Sequence, residues 1–220
     1  MEVITSMVED LIHIRPATRQ DAPLAGQLVH LSMGPSAGLF FANERRSIDE
    51  SIAWLFEQDA GRFGHSLGNV AEWKGNAVGL LVSFRSADLM GLSLAAGWPM
   101  LRLLGARGIF RLMRTLAVTG LESEAGAGEY YVSNIAVLPE FQGRGIGSAL
   151  LRYADHMART RRLKKCSLIV SMQNDEARRL YERHGYREVR SIHYRTGDGV
   201  LDHTHMVKSL VQVQVRRSHR

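Results

Sequence analysis

A glycine-rich segment set between a strand pattern and a helix pattern constrains this chain more than any other feature. Residues 130–137, Tyr-Tyr-Val-Ser-Asn-Ile-Ala-Val, are rich in aromatic and β-branched side chains and read as a strand, which Pro139 ends. Gln142-Gly143-Arg144-Gly145-Ile146-Gly147 follows, and Gly147, Leu150, Leu151, Ala154, Met157 and Ala158 then recur at helical spacing. The first turn of a helix has N–H groups without carbonyl partners, and Gly143 and Gly145 let the backbone approach a ligand with no Cβ in the way. Such a hollow is expected to bind an anion, helped by the positive end of the helix dipole and by Arg144 on its rim. A pyrophosphate suits it.

Two other glycine-loop chemistries fit poorly. A nucleoside-triphosphate loop needs a Gly-Lys-Ser/Thr ending, which does not follow Gly147. A dinucleotide fingerprint needs G-x-G-x-x-G and an acidic residue closing the next strand, whereas Gly143, Gly145 and Gly147 are spaced two apart and that acid is missing. The loop taken alone is equally compatible with a helix-opening turn that holds no ligand.

The rest of the chain supplies the frame. Strands are predicted over residues 12–15, 70–74, 78–84, 167–170, 186–194 and 203–213, the second and third forming a hairpin around Lys74, Gly75 and Asn76. Helices are predicted over residues 21–33, from the Ser47 cap through Leu55, and over residues 174–184, with a break at residues 34–38. Strand, glycine loop, helix, strand, helix is a βαβα order, while hairpins at either end imply antiparallel pairs. The expected fold is therefore α/β (α+β), a mixed and mostly antiparallel central sheet flanked by helices.

Residues 87–128 differ in composition, being apolar and punctuated by glycine. Pro99, Arg102, Arg107, Arg111 and Arg114 interrupt any membrane-spanning run, so an amphipathic helical insertion in a single domain over residues 1–220 is expected, without stable membrane insertion. The single cysteine, Cys166, excludes an intrachain disulfide, and the start of the chain lacks a secretory pattern, so the expected location is cytoplasmic. The net charge of +6 suggests a polyanionic partner. Arg159, Arg161, Arg162, Lys164 and Lys165 flank one helix end, however, and Arg216, Arg217 and Arg220 lie at the tail, which favours solvated helix ends over a nucleic-acid surface.

The segment from Asn134 to Gly147, Asn-Ile-Ala-Val-x-Pro-x-Phe-Gln-Gly-Arg-Gly-Ile-Gly, is followed by Asn174, Ala177, Leu180-Tyr181-Glu182 and Gly185-Tyr186. Together these closely resemble the GCN5-related N-acetyltransferase (GNAT) superfamily. Gln142, Gly145 and Gly147 meet its Gln/Arg-x-x-Gly-x-Gly/Ala signature, and Asn174, Ala177, Leu180, Tyr181, Gly185 and Tyr186 meet its later motif. The close resemblance covers residues 130–189; the insertion and the C-terminal tail lie outside it.

That resemblance implies an N-acetyltransferase taking acetyl-CoA as donor and a small-molecule or protein amine as acceptor, by direct attack in a ternary complex. It implies that Ile135, Ala136 and Val137 pair with the pantetheine arm and that Gln142, Gly143, Arg144, Gly145, Ile146, Gly147 and Ser148 hold the pyrophosphate. Asn174 would bind near the pantetheine, Tyr181 would serve as the acid beside the thioester sulfur, and no metal would be needed. Histone-type relatives carry a glutamate at the place of Tyr131 and the ribosomal-protein N-terminal type one at the place of Ile169, so neither base is present. A water chain, Glu129 or a residue from the insertion would have to serve if a base is needed at all, and Glu129 is a weak substitute, expected to be an exposed carboxylate at a strand start.

His203 and His205 alternate on one strand face, but no Cys, Asp or Glu completes a metal site at ligand spacing. Cys166 reads as a small core residue. The expected acceptor cleft, residues 33–41 and 101–116, is apolar with few carboxylates, which favours a weakly charged or partly hydrophobic amine over a polycation. A catalytically silent CoA-binding or interaction module is the alternative, and the insertion could cover a homodimer interface.

Overall fold

The computed structural model describes residues 11–119, 124–196 and 199–211. β1 (Ile12–Pro16) leads to α1 (Ala22–Met33), α2 (Ser36–Phe41) and α3 (Ile48–Glu57), then to the hairpin of β2 (Gly68–Trp73) and β3 (Asn76–Arg85). The segment expected as an insertion forms α4 (Leu89–Ala95) and α5 (Gly97–Thr119). β4 (Glu129–Val137), α6 (Ile146–Thr160), β5 (Lys165–Ser171), α7 (Asp175–Arg183), β6 (Arg187–Thr196) and β7 (Gly199–Ser209) complete the described chain. One sheet runs in the order β1-β2-β3-β4-β5-β7-β6, antiparallel at every pairing except β4 with β5.

Two helical layers cover this sheet because its strands alternate. Val70, Leu80 and Val82 face a core built with Leu28, Phe41, Ile52, Leu55 and Phe56 of α1 to α3 and with Met100 and Leu103 of α5. Ala71, Val78, Leu81, Tyr130, Val132 and Leu168 face the other core, with Ile146, Leu150, Leu151 and Ala154 of α6 and Tyr181 of α7. Leu150 and Leu151 are fully buried, each worth about 2 kcal/mol in surface removed from water.

Three boundaries depart from the sequence expectation. Gly34 caps α1 at a φ of 54°, yet Ser36 to Phe41 turn into another short helix, because Ala37 and Phe41 have a core to bury against. β7 starts at Gly199 and ends at Ser209, its span fixed by pairing with β5 and β6; residues 212 and 213 of the expected strand lie outside the described residues, as does the basic tail. The inserted α5 contains a break at Gly105, where a φ of 66° interrupts the helical backbone.

Candidate active site

The site grows from a mismatch between β4 and its two neighbours. Against β3 the register slips between Val82↔Asn134 and Ser83↔Val132, leaving Ser133 as an extra residue on β4. A bulge of this kind bends a strand and strengthens its twist. Against β5 the pairing starts at Glu129↔Lys165 and stops at Val132↔Leu168. Beyond that point β4 continues to Val137 alongside β3 alone, so the backbone groups of Ile135, Ala136 and Val137 that point away from β3 line an opening between two parallel strands.

The chain leaves this opening directly into the start of α6. Gln142 donates from Nε2 to the carbonyl of Val137 at 3.1 Å, tying the loop to the end of β4. Gly143 and Gly145 have φ of 73° and 80°, left-handed values that favour glycine, and open space lies where their Cβ atoms would project. Gly145 caps α6, and its carbonyl accepts from Ala149 at 3.0 Å, which leaves the N–H groups of Ile146, Gly147 and Ser148 outside the helical ladder. Gly147 has a different reason to be glycine: a Cβ there would stand 3.3 Å from Leu180 Cδ2, where α7 crosses the start of α6.

The side chains around the loop are engaged. The Arg144 guanidinium lies 5.5 Å from the Phe141 ring centroid and 5.9 Å from that of Trp73, and donates to the Glu140 carbonyl at 3.3 Å. Ser148 Oγ is 2.9 Å from His184 Nε2. Burial, then the nearby Lys208 and Arg152, lower the pKa of His184, so this imidazole favours its neutral form. The Ser148–His184 contact joins α6 to the end of α7 and escaped the sequence reading, because a histidine closing a helix gives no hint of a partner 36 residues away.

α7 brings the remaining expected residues to the same end of the sheet. Asn174 caps it, its Oδ1 accepting from the Ala177 amide at 3.0 Å, and its side-chain N–H donors point to no partner among the described residues. Tyr181 is 7% exposed, 6.0 Å between ring centroids from Tyr186, and burial alone pushes its hydroxyl up to about 12. A phenol held there stays protonated across the neutral range. Cys166 is buried behind α6, and burial together with Asp155 pushes its thiol up to about 12, so it is no nucleophile at neutral pH.

On the opposite face of the sheet, Glu129 overturns one expectation. It is buried at 5% exposure, not an exposed carboxylate. Its Oε2 accepts from the Gly126 amide at 2.7 Å and lies 3.4 Å from His205 Nε2. Burial would raise its pKa, but the His205 and Gly126 contacts outweigh that and hold it at about 2, which makes it a very weak base. Tyr131 packs edge-on against Phe84 with ring centroids 5.6 Å apart, and Ile169 is half-buried, so neither place offers a proton acceptor. His203 and His205 stand opposite Ser171 and Ile169 on β7, and among the described residues no three His, Cys, Asp or Glu side chains gather.

A nest of unpaired amides at a helix start, beside an opened strand edge, suits a long ligand carrying a diphosphate at one end. Residues 36–186 match the family described as the acetyltransferase (GNAT) family. No curated protein matches the sequence. Among solved structures, an acetyltransferase is 25% identical with a TM-score of 0.65, covering 90% of this chain and 100% of its own. The N-acetyltransferase from Staphylococcus aureus Mu50 is 20% identical with a TM-score of 0.67, covering 89% and 99% respectively. The protein yncA from Salmonella typhimurium, solved with its cofactor acetyl-CoA, is 17% identical with a TM-score of 0.56, covering 95% and 99%.

Proposed function

The chain belongs to the acetyltransferase (GNAT) family, and we propose that it transfers an acetyl group to an amine acceptor by direct attack within a ternary complex. The observation that carries this reading is the parting of β4 from β5 after Val132↔Leu168, immediately next to the unpaired amides that open α6. Acetyl-CoA, when bound, supplies an acyl carbon already activated as a thioester. The amides from Gly143 to Ser148 would hold its diphosphate; Gln142, expected among them, instead donates its backbone N–H to the Pro139 carbonyl at 3.2 Å and its side-chain amide to Val137, and Arg144 has to leave its place over Phe141 and Trp73 if it is to add a charged contact. Ile135, Ala136 and Val137 pair with the pantetheine arm as an added strand would. Asn174 contributes through its side-chain N–H groups, since its oxygen is committed to the helix cap.

Tyr181 Oη donates a hydrogen bond to the departing sulfur, and its raised pKa keeps the proton in place until charge develops there. The amine attacks in its neutral form. Glu129 is too weak a base to take its proton, so that task falls to a water chain or to a residue from the 87–128 segment. The acceptor cleft, residues 33–41 and 101–116, has few carboxylates, which supports a weakly charged or partly hydrophobic amine.

An amine screen with acetyl-CoA, read as release of free CoA, tests the proposal. Turnover with any acceptor excludes a silent CoA-binding module, and preferential turnover of polycations overturns the acceptor class. Tyr181→Phe is expected to lower kcat by about 10²-fold while leaving acetyl-CoA affinity within a few-fold. Undiminished turnover would remove Tyr181 from the mechanism.

A further inference from the structure

The outer side of the insertion carries an unusual load of apolar surface. Of the ten large apolar side chains exposed among the described residues, Met90, Leu94, Trp98, Leu101, Phe110 and Met113 fall in α4 and α5, whereas Leu11, Leu31, Val189 and Val211 are scattered singly. Leu94, Trp98 and Phe110 are 73%, 68% and 68% exposed. Met90 and Leu94 are one turn apart, as are Phe110 and Met113, so each pair shares a helix face. The core does not need this face: Ala96, Met100, Leu103 and Leu112 already anchor the insertion from its inner side. Clustered apolar exposure of this kind marks an interaction surface.

Charge decides what covers it. Residues 89–119 contain Arg102, Arg107, Arg111 and Arg114 and no Asp or Glu. Arg111 donates to the Ala42 carbonyl, while Arg102, Arg107 and Arg114 are exposed and form no ion pair among the described residues. A second copy of this face would set arginines against arginines with no carboxylate between them, which works against a symmetric dimer here. Tryptophan, phenylalanine and leucine fringed by arginine suit the boundary between the headgroups and acyl chains of an anionic bilayer. Among the described residues no single helix is long and apolar enough to cross a membrane; residues 86–95 and 97–114 together reach that length and composition, but they meet at a bend of 55°.

We propose that α4 and α5 seat this protein on anionic lipid surfaces, with Leu94, Trp98, Phe110 and Met113 entering the interface and Arg102, Arg107 and Arg114 meeting lipid phosphates. The transferase reading assigns residues 101–116 to the acceptor cleft as well, whereas this proposal concerns the exposed side chains of that segment, and it is tested without acetyl-CoA or any amine. Flotation of the full chain with phosphatidylcholine vesicles, with and without a one-third share of phosphatidylglycerol, tests it directly. Binding is expected only to the phosphatidylglycerol vesicles, weakening with salt and accompanied by a blue shift of Trp98 emission; Trp54 is half-buried and Trp73 buried in the free protein. The double variant Trp98→Ser, Phe110→Ser should bind at least about tenfold more weakly, and each of Arg102→Gln and Arg107→Gln about fivefold. These positions are exposed, so unchanged circular dichroism and melting temperature verify the fold. Failure to float with either vesicle, equal binding to both, or a dimer in sedimentation that Trp98→Ser dissolves would each overturn the proposal.

Discussion

Gly145 and Gly147 are both glycine for reasons that two substitutions separate. Gly145→Ala forces a side chain into a φ of 80° and should cost about 1–2 kcal/mol in urea unfolding, together with a clear loss of acetyl-CoA affinity, because the amides it sets in place turn away. Gly147→Ala meets only the end of the Leu180 side chain at 3.3 Å, which can give way, so its stability should change by less than about 1 kcal/mol. A larger loss at Gly147 than at Gly145, read from the same unfolding curves, would contradict this division. The sequence displayed both residues in one motif; only the backbone angles and the crossing of α7 distinguished strain from packing. Glu129 is the opposite case. Nothing in Gly-Glu-Tyr-Tyr announced burial, and the His205 partner comes from a strand 76 residues further along.

At the scale of elements, α7 does two jobs through one residue. Asn174 caps the helix by accepting from Ala177, and its amide N–H groups remain for a ligand. Asn174→Asp keeps an oxygen for the cap but removes the donors, so acetyl-CoA affinity should fall in titration calorimetry while the melting temperature holds. Asn174→Ala should lose both, with about 1 kcal/mol off the stability. Equal affinity in the Asp variant and the parent would assign Asn174 to capping alone. The helix was legible from its motif, and so was the strand before the glycine loop. What spacing could not reveal is where β4 leaves β5: pairing ends at Val132↔Leu168 because Ser133 bulges against β3, and a bulge is a property of two strands together.

For the whole molecule, two linked equilibria are measurable. A ligand that binds only the folded state stabilises it by about 2.7 kcal/mol at a hundredfold excess over Kd, a rise of roughly 5–10 °C for a chain of this size. Acetyl-CoA should produce such a rise, and no shift at saturating concentration would remove the premise of a formed cofactor cleft. The Glu129–His205 contact links stability to pH. The folded pKa of Glu129, about 2, lies below its ordinary 4.5, so the unfolded chain takes up the proton first. The contribution of Glu129 is therefore complete above about 4.5 and drains away as pH falls toward 2; Glu129→Gln should flatten the acid limb of a plot of melting temperature against pH. By itself the sequence determined most of the order of elements, α2 excepted, together with the glycine-opened start of α6 and the family, because these rest on local propensity and contiguous motifs. The tertiary structure alone decided the opening between β4 and β5, the Ser148–His184 and Glu129–His205 contacts, and which side of the inserted helices faces water. Each of these depends on segments far apart in the chain meeting at one place, and a one-dimensional pattern carries no distance between them.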